Sequence, residues 1–231
     1  LMKDFIFDTI IFGPKKMDFP TYKFLCQAAT FIGVETTFCG DEFPFIVQNR
    51  TMAGQFSAHV MTSIISGFII SFPYILYEFW KFISPGLLEK EKAKSRGFIF
   101  VSSMLFFIGV LFGYYIISPL SINFLGTYQV SSQVLNEIDL GSFISLVRSS
   151  AIASGIIFEL PIIIYFLTKA GVVTPESLVK YRKYALVLVL VLAAIITPPD
   201  VASQIIVAIP IVVLYQVSIF ISRIVIKNQT K

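Results

Sequence analysis

The chain has 231 residues, 56% of them hydrophobic and 14% charged, with a mean hydropathy of +0.82. That profile excludes an ordinary soluble domain and predicts a protein that crosses a membrane several times. One His and two Cys leave too few ligands for bis-histidine haem or a Cys/His metal cluster, and the net charge of +4 carries more meaning by its location than as a total.

Residues 1–56 are mixed in polarity and broken at Gly13-Pro14, Phe19-Pro20 and Phe43-Pro44, so they read as a loop region carrying short helices with no span. A segment over 21–37 is amphipathic and helical, and Cys26 and Cys39 flank most of it. The two thiols have two readings. One is a disulfide closing a loop of about 14 residues, worth roughly 3 kcal/mol; the other is a pair of buried free thiols. Residue 1 is Leu and no charged leader opens the chain, so we expect no signal peptide and a missing N-terminal segment.

Five spans are expected, at residues 57–83, 98–117, 142–168, 184–197 and 201–222. The first is interrupted by Gly67 and Pro73 and ends in Tyr74, Tyr77, Trp80 and Lys81, an aromatic belt with a snorkelling lysine. His59 near its other end reads as an interfacial histidine. The second span is closed by Ser118-Pro119. Thr174-Pro175-Glu176 starts a helix outside the membrane, with Thr as N-cap and Pro at the first helical position. The strongly apolar part that follows, 185–196, is only about 18 Å long, short for a bilayer. Thr197-Pro198-Pro199-Asp200 then stops one helix and starts the next.

The third span carries the feature around which the rest is arranged. Between Ser142 and Leu167 the only charges are Arg148 and Glu159, and Pro161 follows the carboxylate by two residues. An ionisable group in a membrane is costly, so Glu159 is a functional candidate; the structural alternative is a protonated acid hydrogen-bonded to Ser or Thr of a neighbouring helix. Pro161 removes a backbone donor and kinks the helix beside the acid. Arg148 lies nearly three turns earlier on much the same face, about 16 Å away, too far to pair with Glu159 but consistent with a polar stripe.

Charge bias orients the chain. Residues 84–97 and 169–183 each hold four Lys/Arg and the tail from Arg223 holds three, whereas 121–142 and 197–200 hold none. The positive-inside rule puts the basic segments and the C-terminus in the cytoplasm. No phosphate loop, HExxH zinc motif or nucleophile elbow occurs, so neither an enzyme nor a metal site is expected. From the residues alone, a proton-coupled small-solute transporter relaying through Glu159 stands as one reading.

Three stretches taken together change the balance. Ser84-Pro85-Gly86-Leu87-Leu88-Glu89-Lys90-Glu91, Phe158-Glu159-Leu160-Pro161 and Thr197-Pro198-Pro199-Asp200-Val201-Ala202-Ser203-Gln204, in this order and spacing, resemble the TatC family of twin-arginine protein translocase subunits. The resemblance covers residues 44–226. It implies an all-α, polytopic membrane helix bundle with a short final hairpin, in which five of the family's six transmembrane helices are present and 1–56 is the first extracytoplasmic loop. It implies a receptor for twin-arginine signal peptides that exports folded cargo across the bacterial inner membrane with TatA and TatB, driven by the proton-motive force. That receptor would work as an oligomer in the lipid bilayer, with no cofactor and no nucleic-acid partner. Glu91, helped by Glu89, matches the acid that meets the arginine pair, and carboxylates suit guanidinium forks. Glu159 matches the family's intramembrane glutamate. Thr197 and Gln204 match the site for a TatA or TatB helix, Asp200 the extracytoplasmic turn, and Pro14 a proline of the first loop. Arg148 matches no family motif.

Overall fold

The computed structural model describes residues 2–32, 39–40, 43–83, 95–131, 133–196 and 201–229. Its helices are α1 (Pro20–Ile32), α2 (Gly54–Ile83), α3 (Ser95–Phe112), α4 (Ser118–Thr127), α5 (Leu140–Phe158), α6 (Leu160–Lys169), α7 (Pro175–Lys180), α8 (Arg182–Ile196) and α9 (Val201–Gln229). A helical turn, Met2–Asp4, running into a π-turn, Phe5–Ile11, precedes them. Among the described residues, four stretches are long and apolar enough to cross a membrane: Gly54–Phe82, Ile99–Thr127, Leu140–Lys169 and Ser203–Lys227. The protein is a polytopic helical membrane protein. At 15 residues, or about 22 Å, α8 falls short of the hydrocarbon thickness, the mismatch its sequence predicts.

Two of the apolar helices run differently from expectation. Gly67 and Pro73 do not interrupt α2, which is continuous; a Cβ at Gly67 would meet open space, and a helix in lipid tolerates an internal proline. Trp80 is buried against Phe166, ring centroids 6.0 Å apart, so it packs between helices while Tyr74 and Tyr77 stay exposed. The second apolar helix passes Ser118-Pro119 and ends only at Thr127. A π-turn, Gly113–Ile117, joins α3 to α4, with the Ser118 N–H and hydroxyl both donating to the Gly113 carbonyl. Proline at 119 cannot donate to the carbonyl four residues back. That carbonyl, Tyr115 O, instead accepts from the Thr21 hydroxyl of α1.

The neighbouring Tyr22 completes this junction. It is fully buried, with its hydroxyl 2.9 Å from both Pro14 O and Pro119 O. Burial pushes its phenol above the usual tyrosine range. Cys26 of α1 is bonded to Cys39, with Cα atoms 5.2 Å apart, so of the two readings of these thiols the structure has the disulfide. Below the junction, Ile11, Phe45, Ile122, Phe143 and Ile144 form one apolar cluster. Two short parallel strands, β1 (Ile46–Gln48) and β2 (Glu137–Asp139), tie the loops together in the register Ile46↔Glu137.

The centre of the bundle is the crossing of α3 and α5. Small residues set its distance: a Cβ on Gly109 would fall 2.7 Å from the Ser154 carbonyl oxygen and 2.8 Å from Gly155 Cα. A Cβ on Gly113 would collide with the Ser150 carbonyl. Lipid offers no hydrophobic gain for bringing helices together, so such close approach supplies the attraction. Polar side chains add to it at α9, where Thr168 donates to Ser222 at 2.9 Å and Tyr215 to the Leu178 carbonyl at 2.8 Å. The start of α7 has the expected cap: Thr174 accepts from the Ser177 N–H, and the Ser177 hydroxyl accepts from the Thr174 N–H.

Candidate functional site

Glu159 owes its position to the two helices it separates. Asp139 caps the start of α5 by accepting from the Gly141 and Ser142 N–H groups at 2.9 and 3.3 Å. The helix then runs as far as Phe158. Pro161 cannot continue the backbone ladder, and the Glu159 N–H turns to the Ile156 carbonyl at 3.1 Å. Helix α6 restarts at Leu160 with Pro161 in its first turn, and the Glu159 carbonyl accepts from Ile162 and Ile163 at 2.9 and 3.0 Å. The carboxyl therefore sits at a break in a single 30-residue apolar passage.

The side chain points into protein, not lipid. Glu159 is 8% exposed, and its Oε2 accepts from the Ser102 hydroxyl of α3 at 2.5 Å. Ser102 itself is fully buried. Oε1 is enclosed with no partner among the described residues. The helix faces around this site are apolar: Phe158 packs on Phe112 with centroids 5.5 Å apart, and Phe106 stacks on Phe72 at 3.6 Å. A carboxyl with one oxygen held and the other enclosed but unpaired is costly in such surroundings. The sequence names a Ser or Thr partner only as a class, and Ser102-Ser103 is a polar pair within the second apolar run.

Gln204 lies on α9 and donates through Nε2 to the Leu190 carbonyl of α8 at 3.1 Å, so this amide also bridges the final hairpin. Arg148 faces the same neighbour helix as Glu159 but at a different level, in a groove with Val110 and Tyr114 of the second span. His59 packs near the Phe7 ring, with centroids 5.7 Å apart. Pro14 is buried, and its carbonyl faces the Tyr22 hydroxyl. Glu89, Glu91, Thr197 and Asp200 lie outside the described residues.

Known proteins agree on what this arrangement is. The family description "Sec-independent protein translocase protein (TatC)" matches residues 2–210. A Sec-independent protein translocase protein TatC of Blattabacterium sp. subsp. Periplaneta americana is 46% identical over 228 residues, which is 98% of this chain and 86% of that protein. The TatC of Aquifex aeolicus is 43% identical over 167 residues, 71% of this chain and 68% of the relative. A crystal structure of the twin-arginine translocase receptor TatC superposes with a TM-score of 0.65 at 33% identity, covering 95% of this chain and 93% of that one. A second, of the same receptor in DDM, gives 0.64 at 34% identity, with 96% of each chain covered. The helical architecture, the apolar passage broken at Glu159 and these likenesses together establish that the chain belongs to the TatC family of Sec-independent protein translocase proteins.

Proposed function

We propose that this chain is the receptor for twin-arginine signal peptides and the core subunit of a Tat translocase. It exports folded proteins across the bacterial cytoplasmic membrane together with TatA and TatB and draws on the proton-motive force. Family membership over residues 2–210 carries this reading. The solute-transporter reading has no comparable support and is set aside.

In this reading Glu91, with Glu89, receives the arginine pair on the cytoplasmic side. A guanidinium donates two parallel hydrogen bonds to a carboxylate, an arrangement that lysine cannot reproduce. Glu159 acts deeper in the membrane, where its unpaired Oε1 supports a role as acceptor for a polar group on an inserted segment. Thr197 and Gln204 form the docking point for a TatA or TatB helix, and Asp200 shapes the extracytoplasmic turn between α8 and α9. The basic segments 84–97 and 169–183 support a cytoplasmic location for those loops and for the C-terminus, in an inner membrane. The working unit is an oligomer.

The test is photocrosslinking from a photoreactive residue replacing Leu87 in the assembled translocase, using signal peptides that carry Arg-Arg or Lys-Lys. The expected result is a strong crosslink to the Arg-Arg peptide alone, lost in Glu91→Ala. Equal crosslinking of both peptides by a folded protein overturns the assignment of Glu91.

A further inference from the structure

Arg148 has no part in the site above, and its surroundings suggest a separate one. It opens onto a groove of about 630 Å³ between α2, α3, α5 and the N-terminal segment. The walls are largely aliphatic, with Ile65, Ile69, Val110 and Leu111 among them. Two guanidinium nitrogens, Nε and Nη1, are enclosed there without an acceptor among the described residues. Thr62 lines the same groove at 2% exposure, and its Oγ1 is likewise without a partner. Orphaned donors at the head of an apolar channel call for an anionic head on an apolar tail.

Depth identifies the class of molecule. Arg148 and Thr62 each lie eight residues into their helices, counted from Leu140 and Gly54, or about 12 Å. The spans concerned have 30 and 29 residues, about 45 and 44 Å of helix against a hydrocarbon core of about 30 Å. Sharing the excess between the two ends puts both side chains about 5 Å inside the hydrocarbon boundary, within reach of the interface for a snorkelling arginine. The phosphate layer of the bilayer lies above that level, where a snorkelling guanidinium meets it, and acyl chains fill the level itself and the space beneath.

We propose that this groove holds one phospholipid, its phosphate received by Arg148 and Thr62 and an acyl chain laid along Ile65, Ile69 and Leu111. The guanidinium fork matches two phosphate oxygens, and the hydroxyl supplies a further donor. Inorganic phosphate supplies the same acceptor but nothing to fill the apolar part of the groove.

The purified, delipidated protein is titrated in detergent with dioleoylphosphatidylglycerol, dioleoylphosphatidylcholine or dioleoylglycerol, and retained lipid is counted by native mass spectrometry. Saturable retention of one molecule of either phospholipid, and not of dioleoylglycerol, is expected. Arg148→Leu weakens retention at least about tenfold, the factor carried by loss of a charge-assisted hydrogen bond. Arg148→Lys weakens it less, and Arg50→Leu, at an exposed arginine paired with Glu137, leaves it unchanged. Should Arg148→Leu fail to fold, Ser66→Phe, which narrows the groove, gives the same weakening. Equal retention of dioleoylglycerol, displacement of the lipid by millimolar inorganic phosphate, or retention unaffected in folded Arg148→Leu or Ser66→Phe overturns the proposal. A polar helix peptide that displaces the lipid only when it bears a carboxylate would make a partner helix the occupant, and also overturns it.

Discussion

Replacing Gly109 by alanine tests whether the α3–α5 crossing holds the Glu159 site together. The new methyl carbon would lie 2.7 Å from the Ser154 carbonyl oxygen and 2.8 Å from both Gly155 Cα and Phe158 Cβ. Ordinary contacts of this kind need about 3.5 Å, so the helices must part by about 0.7 Å. The Ser102–Glu159 hydrogen bond, 2.5 Å in the structure, sits on the same pair of helices. The same parting stretches it to about 3.2 Å, past the normal range for a hydroxyl donor. Overpacking of this size costs about 1–3 kcal/mol, partly offset by alanine's helix preference over glycine of about 1 kcal/mol. Gly67→Ala supplies the control, because that position faces open space and carries only the favourable backbone effect. Unfolding of the reconstituted protein by SDS titration should therefore show Gly109→Ala less stable than Gly67→Ala by about 1–3 kcal/mol. Glu159→Gln should cost less in the Gly109→Ala background than alone, with a coupling above about 0.5 kcal/mol. Equal stability of the two glycine variants refutes the packing argument, and strict additivity refutes the link to Glu159.

Tyr22→Phe leaves the Pro14 and Pro119 carbonyls without their buried donor and should cost about 1–3 kcal/mol in the same titration. Because the folded-state pKa of Tyr22 is raised, the native state keeps its proton longer than the unfolded chain. The stability tied to that proton is complete below pH about 10 and falls as pH rises further, so the decline should be shallower in the Phe variant than in the parent when melting is followed from pH 8 to 11. Cys26→Ser with Cys39→Ser opens a bridge with a sequence separation of 13 and should cost about 3 kcal/mol, with reductant lowering the melting temperature of the parent but not of the variant. Gln204→Ala removes the bond to the Leu190 carbonyl, and amide exchange in α8 should quicken several-fold while α5 is unaffected.

What the sequence revealed depended on whether the deciding interaction was local. Glu159 and Pro161 stand out because their neighbours are apolar, and both the helix break and the burial follow from those residues alone. Ser102 was harder to see, since it meets Glu159 across 57 positions and only because Gly109 and Gly113 set the depth at which two helices interlock. Ser118-Pro119 reads as a stop for a comparable reason. The acceptor that would rescue the helix, Tyr115 O, is served by Thr21, 94 positions away, and no local rule anticipates that donor. Trp80 has the composition of an interface anchor, but packing on Phe166 outweighs that preference. The cysteine spacing admitted both a bridge and free thiols, and only the fold of the first loop distinguishes them.

The glycine crossing also makes the second apolar helix behave as a balanced lever. Gly109 is its fulcrum. Ser102 lies seven residues to one side and Tyr114, whose hydroxyl donates to the Ile10 carbonyl at 2.8 Å, lies five to the other, arms of about 10 and 8 Å. A rigid tilt that moves the Ser102 end by an ångström swings the Tyr114 end by nearly as much in the opposite direction. A displacement at the carboxyl is thereby carried about 18 Å along the helix, to the N-terminal segment that Tyr114 holds.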